Sequence, residues 1–412
     1  MDIIRKIIII ASAVCLTALL SACREDSNRL LERELLFKMQ IGKMEDQLYV
    51  QQFDGVNTLS KTRLLMQDGF FYIANGESAK VMEFSSFGDL ISLYYNDDKN
   101  PEPVILNSEK KADTAVTRTA YKYPLNDPGE ISRTGRGELL IDDRIAEVRR
   151  EWDEESKVLL DRIVLRFDEE GRLLSYLGQE GPGGTPFPYI QSLHVNAQDE
   201  VIVVTRNPGG WRIFWYTVMG DPLYKIDFTK DLLPTNETAG SPSLESIYPD
   251  YENRVVYLKV DYYNKDEAEN IKFNKSMIHG YDLDNEEYSM SIDIPRNVVK
   301  SDQPVIFEKK EHEYLYEFAG VARGPAFFLL SPHEGTMYRL TVLDTEGRVK
   351  GRGLIDFSDD DIFFRNFYVN PDGILSAVVC GEYNAEVVWW RSDIFIEEQK
   401  SEYSKFLPNE RN

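Results

Sequence analysis

The sequence predicts an all-β fold in which short antiparallel strands recur in units of similar composition. Each unit has a turn, a strand with alternating apolar residues, a short polar turn, a second strand with aromatic residues, and a polar turn. Alternation with period two between clusters of turn residues is typical of half-buried strands. Six copies of the pattern follow one another, and they begin at Asp68, Gly137, Glu200, Arg254, Ala326 and Asp372.

The spacing of the copies indicates how the units are arranged. They begin 46 to 72 residues apart, and sheets of about four strands that repeat on this order are typical of a β-propeller. One such sheet cannot bury both of its faces, whereas a ring of sheets packs them face to face. We therefore predict a six-bladed β-propeller of four-stranded antiparallel blades. A seven-bladed ring is the alternative, because residues 98–136 could hold a degenerate blade.

The individual strands are predicted in chain order from the same alternation. They are expected at 70–75, 80–84 and 89–91 in the first copy, 137–141, 161–167 and 172–174 in the second, 200–205, 211–216 and 222–223 in the third, 254–258 and 276–281 in the fourth, 326–330 and 337–343 in the fifth, and 373–378 and 386–390 in the sixth. The acidic stretch Asp261–Glu267 is predicted to be an exposed loop between strands.

A linker between the second and third copies supports the ring. Residues 177–188 read LGQEGPGGTPFP, so a strand turn leads into a Gly-rich loop, then Phe187 and Pro188, then the next strand. The stretch from Arg166 to Thr205 resembles the NHL repeat of β-propellers. The resemblance covers about 330 residues topologically, although the specific motifs are confined to this stretch and to the first copy.

The two ends of the chain are expected to close the circle. Gln47–Phe53 is predicted to be a strand that completes the last blade. The domain boundaries are accordingly a tether over 23–45, the propeller over 46–400 and a C-terminal tail over 401–412.

The first 23 residues resemble a bacterial lipoprotein signal. Arg5 and Lys6 precede the uncharged run Ile7–Leu20, and Ser21-Ala22-Cys23 ends it. The run has 14 residues, fewer than the ~20 that a spanning helix needs. The resemblance implies that residues 1–22 are cleaved and that Cys23 carries acyl chains such as palmitate. The protein would then be held on the inner or outer membrane of the cell envelope, outside the cytoplasm. A plain secretory signal and an uncleaved anchor are the alternatives.

Charge and cysteine content exclude some partners and cofactors. Without residues 1–22 the chain has 69 acidic and 45 basic residues, a net charge of −24, which repels nucleic acid. Cys15 leaves with the signal, and Cys380 remains alone in an apolar run, so it is expected to be a buried small hydrophobe.

No residue pattern indicates catalysis, a metal or a cofactor. The four histidines are not spaced as metal ligands, and no CxxC is present. His194 alternates with apolar residues and is interpreted as a strand histidine. Gly181–Gly184 lacks the Lys and Ser or Thr of a phosphate-binding loop and is interpreted as a turn between blades. We therefore name no catalytic, cofactor-binding or metal residue, and Cys23, as the lipidation site, is the one assigned position.

The predicted function is binding at the cell envelope. The lipid bilayer is the expected partner of Cys23, and the loop face of the propeller is expected to bind an envelope protein or a small ligand. One alternative is a propeller enzyme, a hydrolase or lyase that acts on an envelope sugar, lactone or peptide. A passive structural lipoprotein is the other. The side chains at the mouth of the channel would distinguish these possibilities, but the sequence does not reveal which strands line it.

Overall fold

The chain forms a ring of six antiparallel sheets in a computed structural model that describes residues 29–50, 60–108, 118–235, 240–266, 269–300, 311–357 and 362–396. This arrangement confirms the predicted six-bladed β-propeller. The described part of 98–136 holds a short helix, α1 (Ile105–Ser108), and strands of the first two blades. It does not form a seventh sheet, so the seven-bladed alternative is wrong.

Each blade has four strands that are ordered from the channel outward. They are, in blade 1, β3 (Thr62–Gln67), β4 (Phe70–Asn75), β5 (Lys80–Ser85) and β6 (Leu90–Tyr95); in blade 2, β8 (Ile131–Arg133), β9 (Leu139–Arg144), β12 (Arg162–Phe167) and β13 (Leu173–Gly178); in blade 3, β15 (Ile190–Val195), β16 (Val201–Asn207), β17 (Gly210–Tyr216) and β18 (Pro222–Phe228); in blade 4, β19 (Ser241–Pro249), β20 (Val255–Lys265), β21 (Ile271–Asp282) and β22 (Glu287–Asp293); in blade 5, β25 (Glu317–Ala322), β26 (Ala326–Pro332), β27 (Met337–Leu343) and β28 (Val349–Asp356); and in blade 6, β29 (Phe364–Val369), β30 (Leu375–Cys380), β31 (Asn384–Trp390) and β2 (Glu34–Gln40).

Further strands extend three of the blades or form separate hairpins. They are β1 (Arg29–Leu30), parallel to β28; β7 (Thr119–Lys122), parallel to β6; β14 (Gly181–Pro182), paired with β13; and the hairpins β10 (Glu151–Asp153) with β11 (Val158–Leu160), and β23 (Asn297–Lys300) with β24 (Glu311–Tyr314). Two short 3₁₀ turns lie at Gly76–Ser78 and Glu147–Arg149. The interpretation of Gly181–Gly184 as a connection between blades is confirmed.

The core lies between the blades. Among the described residues, the buried apolar side chains form six clusters, one at each junction of neighbouring blades. Strand β4 illustrates why: Phe71 and Ile73 pack toward blade 6, whereas Tyr72 and Ala74 pack toward blade 2. Successive side chains of a strand point to opposite faces, so an apolar strand supplies two junctions at once. Burial of each large apolar side chain contributes about 1.5–3 kcal/mol.

The ring is closed by an N-terminal strand. Strand β2 pairs antiparallel with β31 and is the outer strand of blade 6, whose other three strands come from the C-terminal part of the chain. The prediction that Gln47–Phe53 closes the ring is therefore wrong. In that segment Leu48 makes a single bridge to Ile41, and residues 51–53 lie outside the described part.

Two other expected boundaries change. Strands β1 and β2 both lie within 23–45, so the ring begins before residue 46. The stretch Asp261–Glu267 was predicted to be an exposed loop, and this is wrong for its first five residues. Strand β20 continues to Lys265, and Asp261 and Tyr262 are buried. Cys380 is buried in β30, as predicted.

Candidate ligand site in the central channel

A cavity of about 560 Å³ occupies the centre of the ring. Its wall is formed by the innermost strand of every blade, that is, by β3, β8, β15, β19, β25 and β29. These six strands are the ones that leave one backbone edge unpaired toward the axis. Part of this edge is capped: the Asn366 side-chain oxygen accepts a hydrogen bond from the backbone N–H of Leu64 over 2.9 Å.

Around one mouth of the channel, neighbouring blades are joined by polar contacts. The residues involved follow the inner strands in the chain, which places the ends of these strands at this mouth. The contacts are Arg133 to Asp68 at 3.6 Å, the Gly135 N–H to Asp199 at 2.6 Å, the Ala197 N–H to the Tyr251 carbonyl at 2.8 Å, the Arg323 guanidinium 4.9 Å from the centre of the Tyr251 ring, and Arg323 to Asp372 at 3.1 Å. Together these contacts link each blade to the next, from blade 1 to blade 6.

The starts of the inner strands lie at the opposite mouth and carry a paired charge cluster. Glu130 accepts from Arg63 over 2.8 Å and lies 3.0 Å from the Lys61 ammonium group. Burial by itself raises the pKa of Glu130, but Arg63 and Lys61 outweigh it and hold this pKa below the usual range. Lys61 also donates to the Ile190 carbonyl over 2.5 Å. The carboxylate is therefore ionised and its charge is balanced.

A buried ion pair supports this cluster from behind. Arg162 donates to both oxygens of Asp142, over 2.7 and 2.8 Å, and to Asp127 over 3.1 Å. Asp142 lies 3.7 Å from the ammonium group of Lys61. The bidentate geometry fixes both side chains, so the position of Lys61 beside Glu130 is determined by groups outside the channel.

The channel wall has two different halves. The inner strands β15, β19 and β25 of three consecutive blades each have a β-bulge, where Gln191, Glu245 and Ala319 are the additional residues. The inner strands β3, β8 and β29 pair with their neighbours without such a shift. Bulges redirect side chains and are over-represented beside functional sites. We call β15, β19 and β25 the bulged half of the channel.

Aromatic and hydroxyl side chains are in mutual contact along the bulged half. Ser192 Oγ and His194 Nε2 are 2.9 Å apart, and the His194 ring lies edge-to-face against Tyr248 at 5.6 Å between centroids. Tyr248 in turn contacts Phe318 at 4.9 Å. Burial lowers the pKa of His194 to about 4, so its imidazole is neutral near pH 7. Burial also raises the pKa of Tyr248, which keeps its phenol protonated.

Several polar groups of the bulged half have no partner among the described residues. Ser246 Oγ is buried and makes no hydrogen bond there. Neither Tyr248 nor Glu317 has a hydrogen-bond or ion-pair partner in the described part of the chain. The Glu317 side chain is accessible to solvent in the channel, yet desolvation by the surrounding protein raises its pKa, and Arg365 offsets this only in part. Of these three groups Ser246 Oγ is the buried one, and because buried polar groups are normally satisfied, this atom is available to a ligand; Tyr248 and Glu317 reach the solvent of the channel.

No group of three or more His, Cys, Asp and Glu side chains within the described ranges is placed to hold a metal ion. The four histidines lie in different places: His194 lines the channel, His279 is buried in β21, His312 is exposed in β24, and His333 follows β26. No helix in this part of the structure is long and apolar enough to span a membrane. Cys23, the predicted lipidation site, lies outside the described residues.

Sequence reasoning placed His194 on a strand correctly but did not identify it as a channel residue. It also missed Arg63, Glu130, Ser246, Tyr248 and Glu317. The available signal was the position of the stretch that precedes each apolar copy. In every blade this stretch is the innermost strand.

The comparisons with known proteins give only low similarity. No protein-family model matches the chain, and no curated protein matches its sequence. Solved structures similar to it include an ulvan lyase (10% identity, 88% of this chain and 84% of that one, TM-score 0.41), regucalcin from Agrobacterium tumefaciens (11%, 88% and 96%, 0.38), and the β-propeller domain of the trilobed protease from Pyrococcus furiosus (10%, 81% and 95%, 0.37). The activities in these names belong to those proteins, and the assignment of this chain as a six-bladed β-propeller rests on its own sheets.

Proposed function

We propose that this protein is a lipid-anchored envelope propeller that binds a small polar ligand in its central channel. The observation that carries the proposal is the bulged half of the channel. Three consecutive blades carry the same irregularity at their inner strands, and hydrogen-bonding groups without partners lie beside it.

The size and access of the cavity support a small ligand in preference to a protein. About 560 Å³ falls within the ~300–1,000 Å³ of typical ligand pockets. The cavity reaches both mouths, since its lining includes Arg63 and Glu130 at one and Arg133 and Arg323 at the other. Because the apolar clusters at the junctions hold the blades together, the site is preorganised, which reduces the ordering cost of binding.

The location of the protein is part of the proposal. The signal-like first 22 residues and Cys23 support acylation and attachment to an envelope membrane. The excess of acidic residues, a net charge of −24 after Cys23 becomes the first residue, disfavours nucleic acid as a partner.

The test is to fill the channel and look for loss of a bound small molecule. Gln191 lies in the β15 bulge and lines the cavity, so Gln191→Trp places a large side chain there. Leu173→Trp, on the exposed outer strand β13, is the matched control. The lipidated protein is purified from its own membranes and studied by native mass spectrometry and by thermal shift against a library of envelope metabolites. We expect ligand binding by the wild type and Leu173→Trp, and none by Gln191→Trp.

The proposal fails if no small molecule binds the wild type, or if Gln191→Trp binds as well as Leu173→Trp does. Protein partners recovered equally by all three forms would instead support a scaffold that uses the outer surface of the ring.

A second candidate function is hydrolysis of the bound molecule. The observation that favours it is the 2.9 Å contact between Ser192 Oγ and His194 Nε2 inside the channel, the separation expected of a nucleophile and its general base. Labelling by a fluorophosphonate probe tests it: wild type labelled and Ser192→Ala unlabelled would support a serine hydrolase. Ligand binding without labelling would leave binding as the function.

A further inference from the structure

We infer that the ligand of the bulged half is a neutral saccharide, held through its hydroxyl groups by Ser246, Tyr248 and Glu317. This inference rests on the proposed function, because it names the chemical class that the channel takes. It starts from the placement of three polar side chains on two adjacent inner strands. Ser246 and Tyr248 are two positions apart in β19, and Glu317 begins β25 in the next blade.

The three side chains surround one region of the channel. All three line the same cavity, and the Glu317 charge contributes to the raised pKa of Tyr248. On the other side the His194 ring lies 5.6 Å from Tyr248. A ligand at Tyr248 is therefore within reach of strands from all three bulged blades.

The balance of charge in the channel selects against ionic ligands. Glu130 is paired with Arg63, and the carboxylate of Glu317 is influenced by Arg365, the cation that most lowers its pKa. An anionic ligand would meet two carboxylates, and a cationic ligand would meet Arg63, Arg365 and the nearby Lys61. A charged ligand that is buried without a full set of partners is costly in a partly desolvated site, so a neutral ligand is favoured.

The hydrogen-bonding groups select for hydroxyls. Glu317 is an acceptor when ionised, whereas Ser246, Tyr248 and neutral His194 offer both donors and acceptors. A sugar ring carries several hydroxyl groups that each donate and accept, so it can satisfy all of them at once. Its C–H face also matches an aromatic side chain such as Tyr248, which combines an apolar body with a polar tip. Few other neutral metabolites offer so many paired donors and acceptors in this volume.

Isothermal titration of the mature chain with defined sugars tests the inference. The probes are glucose, N-acetylglucosamine and their β-1,4-linked disaccharides, with glucuronic acid and glucosamine as charged counterparts of similar size. We expect the neutral sugars to bind more tightly than both charged ones. Loss of a hydrogen bond to a charged group weakens binding by about tenfold or more, so Glu317→Gln should raise Kd by at least that factor, and Ser246→Ala should raise it several-fold.

The matched control is Glu313→Gln, which makes the same chemical change at an exposed position of β24 outside the channel and should leave Kd unchanged. Thermal unfolding of each variant verifies that it folds. A pull-down with insoluble peptidoglycan separates two sources of the same chemistry, since binding of disaccharides alone indicates a free sugar and binding of both indicates a glycan chain.

The outcomes separate this inference from the proposed function. Binding of an unrelated compound that Gln191→Trp abolishes, with no binding of neutral sugars at millimolar concentrations, overturns the saccharide and leaves the ligand-binding function intact. Sugar binding that Glu317→Gln and Ser246→Ala do not change overturns the assigned subsite. The absence of any ligand for the wild type overturns both.

Discussion

The indole N–H of Trp389 donates a hydrogen bond to the carboxylate of Glu34 over 2.8 Å. These residues lie at opposite ends of the described chain, on the paired strands β31 and β2. Nearby, Glu386 forms ion pairs with Arg33 and Lys38 at 2.6 and 2.7 Å. Polar contacts on the surface of blade 6 thus join the two ends of the chain. The adjacent Trp390 points to the other face of the strand and is fully buried at the junction with blade 5.

We predict that the stability of the whole ring depends on the inward-facing residues of β2. Phe37 is 7% exposed and contacts Phe71 and Phe84 of blade 1, so Phe37→Ala should lower the free energy of unfolding by about 3–5 kcal/mol. Leu35, on the same strand but 48% exposed, is the control, and Leu35→Ala should have a much smaller effect. Urea unfolding followed by tryptophan fluorescence measures both. A loss for Phe37→Ala as small as that expected for Leu35→Ala would show that β2 adds little to the closed ring.

The buried ion pair of blade 2 leads to a second prediction. Removing one partner of a buried pair leaves the other charge without compensation, which typically costs about 3–5 kcal/mol. Arg162→Ala should therefore strongly destabilise the protein, because the buried Asp142 loses its bidentate partner and keeps only Lys61, 3.7 Å away. Arg172→Ala removes an ion pair to Asp168 at the surface and should leave the unfolding midpoint in urea nearly unchanged.

A double-mutant cycle then tests the mechanism of this effect. Asp142→Leu combined with Arg162→Leu removes both charges and should recover much of the stability lost in Arg162→Ala. If the double variant is less stable than either single one, packing and not the unpaired charge explains the loss.

The fold was predictable because its most apolar strands are also its most regular. The six sequence copies correspond to the second and third strands of the six blades, for example β16 and β17, which are buried on both faces. Such strands alternate clearly and lie between recognisable turns. Their side chains must fill two junctions, so packing alone determines their pattern.

The candidate site was not predictable for the opposite reason. The innermost strands expose one edge and some side chains to the channel, so polar residues such as Ser246 and Glu317 interrupt the apolar alternation there. The three bulges shift the alternation further. The closing strand was placed wrongly because its partner is more than 340 residues away, and no local pattern distinguishes β2 from the stretch Gln47–Phe53 as the partner of β31.

A third prediction concerns acid sensitivity and a buried histidine. His279 Nε2 lies 2.9 Å from the Tyr262 hydroxyl and Nδ1 lies 2.7 Å from Ser291 Oγ. Burial, with a contribution from Lys275, lowers the pKa of His279 to about 4, whereas an unfolded chain titrates near 6.5. Between these values the unfolded state binds more protons, so the contribution to stability is present above about pH 6.5 and is lost as the pH falls toward 4.

The measurement is the free energy of unfolding in urea from pH 7.5 to 4.5. Over two pH units a single group of this kind accounts for about 2 kcal/mol, so His279→Gln should flatten the acid side of the profile. Part of the slope should remain, because the pKa of His194 is lowered as well. His312→Gln, at an exposed position, is the control. An unchanged slope in His279→Gln would assign the acid sensitivity to other groups.

The last prediction concerns the orientation of the ring on the membrane. Strand β1 begins at Arg29 and pairs with the outer strand of blade 5. Arg29 is only six positions after Cys23, and six residues span at most about 20 Å. If Cys23 is acylated, the edge of blade 5 must lie close to the bilayer, while blade 2, on the opposite side of a six-membered ring, faces away from it.

Thiol labelling on lipid vesicles tests this orientation after Cys23→Ser has established that attachment needs the acylated cysteine. Leu30→Cys places a thiol on blade 5 and Leu173→Cys places one on blade 2, both at exposed positions. Cys380 should not react, because burial raises its pKa to about 12. With a bulky maleimide, Leu30→Cys should label more slowly on vesicles than in detergent, and Leu173→Cys equally in both. Equal labelling of the two positions on vesicles would mean that the ring is held away from the membrane surface or that the anchor is not at Cys23.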